Sequence, residues 1–182
     1  MTIPSRFFVG IILASSIIAV PRASSGQATG RAASKAAAAS TAAQRRALLL
    51  DPTRPFWSTR APATFTADIE TSRGTITVEF TREWAPHGVD RFYNLARAGY
   101  FDDSRFFRVL FGFVAQFGIA GDPDVANLWG RRNIAADSVR EHNTRGTLSY
   151  AQFKPSDRTT NVFINLRDNP NLDSLKFAPM DA

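Results

Sequence analysis

Cysteine is absent from the 182-residue chain. That excludes disulfides, thiolate nucleophiles, iron–sulfur clusters and cysteine-based zinc sites. Histidine is scarce, with only His87 and His142, too few for a multi-histidine metal site. No apolar run reaches the roughly 20 residues a transmembrane helix needs; the N-terminal stretch Phe7 to Val20 has 14. No internal repeat of the kind that builds solenoids or propellers is evident. Acidic residues are nearly missing from one end. Residues 1–64 carry eight basic side chains and one acid, Asp51, whereas residues 65–182 carry fourteen basic and fifteen acidic ones. The net charge of +6 and the pI of about 10.5 therefore belong to the N-terminal third. The remainder is near neutral and implies no basic face for nucleic acid.

What is present is enough for a core. Hydrophobic residues make up 44% and charged residues 21%, which suits one packed domain and not a disordered chain. At the N-terminus, Arg6 precedes the apolar run, and the small residues Ala23 and Ser25 follow it. This is the layout of an export signal over residues 1–25, cleaved before Gly26, with Ala28 as another candidate last residue. An uncleaved membrane anchor is the alternative. Residues 23–47 are dominated by Ala, Ser and Arg and offer little large apolar surface, so they read as a flexible spacer. Together with the Pro-rich approach to residue 64 they form a linker over 26–64, in which Phe56 and Trp57 are candidates to dock on the domain.

From Phe65 the pattern changes. Phe65, Ala67 and Ile69 alternate with polar residues, as do Ile76, Val78 and Phe80, with Arg73-Gly74 between the runs. This predicts a β-hairpin. Pro86 suits a first helical turn, Val89, Phe92, Tyr93 and Ala96 repeat at helical spacing, and Gly99 ends the helix. His87, in that first turn, reads as a solvated residue. Two apolar strand candidates flank Gly112, and Arg108 and Gln116 are their polar exceptions. A cation in an apolar strand needs a partner, a wet face or a ligand. Residues 119–145 read as irregular, with Gly121, Asp122, Pro123, Gly130 and Asn133 as turn signals. Gly146–Ala151 and Val162–Asn165 read as strands, with a polar loop between them. Several short strands and a helix predict a mainly β barrel or sandwich.

Three blocks of this sequence resemble the cyclophilin-type peptidyl-prolyl cis–trans isomerases. The first runs from Arg73-Gly74-Thr75-Ile76 through Ala85-Pro86 to Asp90-Arg91-Phe92-Tyr93-Asn94-Leu95. The second holds Phe106-Phe107-Arg108-Val109, Gly112-Phe113-Val114 and Gln116-Phe117-Gly118. The third is Gly146 to Ala151 with Thr160-Asn161-Val162-Phe163-Ile164-Asn165, followed by Asn171-Leu172-Asp173 and Phe177-Ala178-Pro179, as in bacterial members. The resemblance covers about residues 65–180. It implies a cyclophilin-like antiparallel β-barrel capped by helices, with a substrate groove on its outer face. Arg108 is then the catalytic arginine. Phe113, Val114, Phe163 and Leu172 line the pocket for proline. Gln116 bonds the substrate backbone, Ala151 and Gln152 line the groove, and Asn161 stands where the family usually has glutamine. Asn171 replaces a frequent tryptophan, which argues against strong cyclosporin binding, and Phe177 replaces a frequent pocket histidine. His142 is read as a loop residue.

Family members usually continue past the position of Ala182 with a strand, a second helix and a final strand, so the domain over 65–182 is expected to be incomplete at its C-terminus. The function implied is isomerisation of Xaa-Pro bonds in unfolded or newly exported polypeptides. It needs no cofactor and no metal, and it is performed by a monomer in the periplasm or outside the cell. The alternative is a non-catalytic module that binds Pro-containing peptides in the same groove.

Overall fold

The computed structural model describes residues 10–12 and 27–181. The export signal expected over 1–25 lies outside these, except for Gly10–Ile12, which form strand β1. No helix among the described residues is long and apolar enough to cross a membrane.

The β-hairpin forms where the alternation places it. Strand β2 (Thr64–Thr71) pairs antiparallel with β3 (Gly74–Thr81), and Gly74 takes the positive φ the tight connection requires. Ala67, Ile69, Val78 and Phe80 are buried on one face. Ile76, opposite the buried Ile69, is exposed instead of buried, because it lies on β3, an end strand of its sheet. β1 pairs with the other edge of β2. Helix α2 (Pro86–Arg97) lays Val89, Phe92, Leu95 and Ala96 against the hairpin. A run of ring contacts continues the core, from Phe65 on Phe80 to Phe80 on Phe92 and Phe92 on Phe101. Rings at these separations each add to the burial of their own area, which gives the high phenylalanine content a structural use.

The second sheet has the order β4 (Arg108–Leu110), β5 (Val114–Phe117), β7 (Val162–Asn165), β6 (Leu148–Tyr150), all antiparallel. Side chains alternate between its faces. Phe117, Leu148, Tyr150 and Val162 enter the main core; Val114 and Phe163 belong to a separate cluster on the other face. The two sheets are joined by residues 179–181. Pro179 bridges to Ser149 and Asp181 to Phe80. The Met180 N–H donates to Leu148 O, and Thr81 N–H donates to Met180 O. The closed barrel that the resemblance implies is not formed among the described residues: β1 and β4 are end strands, not partners. Val109, on the inner face of β4, is consequently 59% exposed.

Two further expectations are corrected. The spacer is helical: α1 spans Gln27–Leu49. Its last turns are held by the domain. Leu49 is buried, the Trp129 indole N–H donates to Leu49 O at 2.8 Å, and Arg46 contacts Asp122 and Asp124. Alanine favours helix intrinsically, and docking at one end supplies the tertiary contacts that a polar spacer lacks. The region 119–145 is not wholly irregular, for α3 occupies Pro123–Trp129. Asp122 and Pro123, read as turn residues, start this helix: the Asp122 carboxylate accepts from the Asp124 and Val125 N–H groups, and Pro123 occupies the first turn. Trp57 does dock, with its ring 4.4 Å from that of Trp129.

Candidate active site

Arg108, Gln116, Phe163 and Ser149 are successive cross-strand partners in β4, β5, β7 and β6. They therefore stand in one row on one face of the sheet, opposite the core. Val114 and Asn165 form the next row on the same face. Arg108 is exposed, and its Nη1 donates to Gln116 Oε1 at 3.4 Å. No carboxylate lies within ion-pair distance of it among the described residues. Its guanidinium thus keeps most of its five donors free on the face that carries a second apolar cluster.

In that cluster Val114, Phe163 and Leu172 are buried, and Phe113, Ala151 and Phe177 pack against them half-buried. Each wall has a local cause. Gly112, at φ +65°, turns the chain between β4 and β5, and the Phe113 carbonyl after it is fixed by the Leu166 N–H and the Asn169 amide. Leu172 sits on the single-turn helix α4 (Asn171–Ser174). The Phe177 ring meets that of Phe163 at 5.6 Å and a steep angle.

Five of the expected pocket residues (Phe113, Val114, Ala151, Phe163 and Leu172) are brought together in this cluster, and Gln116 stands directly across from Phe163 in the same row. Gln152 and Asn161 are placed differently. The Gln152 amide donates to Leu175 O and Lys176 O at the exit of α4, and its Oε1 is buried without a partner. The Asn161 carbonyl receives the Ala151 N–H at 2.9 Å, and its side-chain Oδ1 is likewise buried and unpartnered. A buried unpaired carbonyl costs free energy that a donor from a ligand would recover.

Sequence reasoning missed the polar layer behind the pocket. Asn143 donates through Nδ2 to Asp173 Oδ1 and Phe177 O, and its Oδ1 accepts from Ser149 and Asn165. Asn169 bonds Asn165 Oδ1. His142 Nδ1 lies 2.8 Å from Asp173 Oδ2. Burial pushes the Asp173 carboxyl up, but the bonds from Asn143 and His142 outweigh it and hold the group below its ordinary value. His142 is raised by the same contact. The only sequence cue to this layer is Asn165, a polar end to an apolar strand. A buried ion pair supports α2. Asp137 accepts the His87 and Gly88 N–H groups at 2.9 Å each and pairs with Arg158, itself 2% exposed. Among the described residues no group of three acidic or histidine side chains is gathered to hold a metal.

The outer face of this antiparallel sheet carries an arginine, a glutamine and an apolar cluster. The chain belongs to the cyclophilin-type peptidyl-prolyl cis–trans isomerase family, whose model matches residues 66–178. It is 33% identical over 117 residues to the peptidyl-prolyl cis–trans isomerase-like 3 of Gibberella zeae, covering 59% of this chain and 69% of that one. It is 34% identical over 113 residues to the peptidyl-prolyl cis–trans isomerase ppi1 of Schizosaccharomyces pombe, covering 58% and 70%. The match to peptidyl-prolyl cis–trans isomerase-like 2 of Gibberella zeae, at 33% identity, covers 70% of this chain but 23% of that protein, so the chain spans about a quarter of that relative. In fold it is similar to the crystal structure of a cyclophilin type isomerase from Cryptosporidium parvum. There the TM-score is 0.53 at 24% identity, over 63% of this chain and 75% of the other.

Proposed function

We propose that this chain accelerates rotation about Xaa-Pro bonds in polypeptides, with Arg108 as its catalytic residue. The observation that carries the reading is the exposed Arg108 beside Gln116, on the sheet face that bears the Val114–Phe163–Leu172 pocket. Rotation about a prolyl amide breaks its resonance, at a barrier of roughly 18–20 kcal/mol. The twisted nitrogen becomes pyramidal and gains a basic lone pair. A fixed guanidinium donates to that lone pair more strongly than to the planar amide, so its binding energy is spent on the transition state. The pocket grips the proline ring while the preceding carbonyl turns, and Gln116 bonds the substrate backbone. The chemistry requires no nucleophile, cofactor or metal. The Cryptosporidium parvum isomerase has also been solved in the presence of the dipeptide Ala-Pro, a ligand of the kind assigned to this pocket.

The same reading assigns clients and place. Residues 1–25 direct export, and the substrates are unfolded or newly exported polypeptides met by a monomer in the periplasm or outside the cell. The Arg6 charge, the apolar run and the small residues after it support this. The deciding experiment is a protease-coupled assay on an Xaa-Pro peptide, using the full chain with Arg108→Ala beside it. Acceleration that is lost in the variant supports the isomerase. A folded chain that binds the peptide without turnover overturns it in favour of a peptide-binding module.

A further inference from the structure

Three arginines converge on a cleft that shares no residue with the proline pocket. The cleft holds about 640 Å³ and is lined by Arg91, Asn127, Leu128, Arg131, Arg132 and Asn133. It lies between α2 and the end of α3. The concentration of positive charge is local, because residues 65–182 as a whole carry one more acid than base. None of the three arginines has a carboxylate within ion-pair distance among the described residues.

Arg91 is also built in place. Its guanidinium lies 5.1 Å from the centroid of the Trp129 ring, and its Nη1 donates to Arg132 O at 3.2 Å. Trp129 is buried and is fixed by its bond to Leu49 O. Burial draws the Arg91 pKa below its ordinary value, and the nearby Arg132 charge adds to this. Like charges held together without a counter-ion repel each other, and an anion seated among them relieves that repulsion. Guanidinium forks match tetrahedral oxyanions with paired hydrogen bonds, and the Asn127 and Asn133 amides add neutral donors.

We propose that this cleft binds a phosphate monoester dianion, with Arg91, Arg131 and Arg132 as its charged ligands. Three cations gathered at one place are too few to follow a nucleic-acid backbone. The phosphoryl group can arrive on a small molecule or on a phosphorylated peptide, and the test separates the two.

The test titrates the full chain with inorganic phosphate and follows tryptophan fluorescence, since Trp129 lies under Arg91. Sodium chloride at matched ionic strength is the control. The variant Arg131→Gln with Arg132→Gln changes two exposed side chains and leaves the core intact. The expected result is a saturable response to phosphate that chloride does not produce, with half-saturation raised about tenfold or more in the variant, since each 1.4 kcal/mol is tenfold. Equal responses to phosphate and chloride, or an unaltered midpoint in the variant, overturn the site. In a second arm, a phosphoseryl peptide that binds more tightly than both free phosphate and its unphosphorylated form supports the site and identifies a polypeptide source. Equal midpoints for peptide and free phosphate support the site as one for small phosphates.

Discussion

Arg108 and Gln116 face each other across β4 and β5, with Nη1 and Oε1 3.4 Å apart. The bond is long, so Gln116 steers the guanidinium without consuming it. Replacing Arg108 by Ala is expected to lower kcat about 100-fold or more, the scale seen when one transition-state donor is removed, while peptide affinity changes little. Arg108→Lys restores only part, because a point charge lacks the planar fork. Steady-state kinetics with a parallel binding titration check this. Equal losses in kcat and affinity would assign Arg108 to ground-state binding alone.

Leu172 is a wall of the pocket and is 5% exposed. Leu172→Ala removes buried methyl groups from beside Val114 and Phe163 and is expected to cost about 2–5 kcal/mol of stability. It should also raise KM for Xaa-Pro peptides more than it lowers kcat. Urea denaturation and a substrate titration on the same sample read the two effects.

Asn143 holds the layer behind that wall. Asn143→Ala strips partners from Asp173, Ser149, Asn165 and the Phe177 carbonyl together. Leaving buried polar groups unpaired costs about 1–3 kcal/mol each. The expected outcome is a loss of several kcal/mol in stability, together with a raised KM, because both Leu172 and Phe177 are anchored through this layer. A loss below about 1 kcal/mol would show that the layer is replaceable.

Burial pushes the Asp181 carboxyl up to about 7 from an ordinary value of 3.8. The folded chain therefore holds this proton more tightly than the unfolded chain does. Below about pH 3.8 both forms are protonated. As pH rises towards 7 the unfolded chain ionises first, so stability falls, and above about 7 the loss is complete. The loss amounts to a few kcal/mol at most, at about 1.4 kcal/mol per pH unit. Asp181→Asn keeps an acceptor for the Leu148 N–H and cannot ionise. It is expected to match the parent near pH 4 and exceed it at pH 8. Urea midpoints at pH 4, 6 and 8 test this, and a gap that does not vary with pH would reject it.

Helix α1 is expected to be protected at its domain end. Arg45 and Arg46 pair with Asp102, Asp122 and Asp124 next to the buried Leu49. Limited trypsin digestion of the native chain should spare the bonds after these two arginines. Leu49→Ala should open them, since exposed ion pairs alone hold little. Rapid cleavage there in the parent would restore the flexible spacer.

The hairpin, α2 and the β4–β5 pair were legible in the sequence because period and turn chemistry agree there: Ala67 and Ile69 alternate with polar residues, Pro86 opens a helix, and Gly112 turns a strand. Arg108 and Gln116 stood out as polar breaks in apolar strands. What escaped depended on distant partners. Asp122 reads as a turn residue until the N–H groups it caps are placed. The Ala-rich segment offers no face of its own, and the Trp129 indole with Asp102, Asp122 and Asp124 shows where it docks. Asn143 and Asp173 are thirty residues apart and look like ordinary loop residues until the fold brings them together.

The pocket lies on the outside of its sheet, against the face that carries no core. A polypeptide can be seated at one proline while both of its ends run off across the surface, so the length of the client sets no limit. On the proposed function, a proline deep inside a long chain is expected to be as accessible to Arg108 as one in a short peptide.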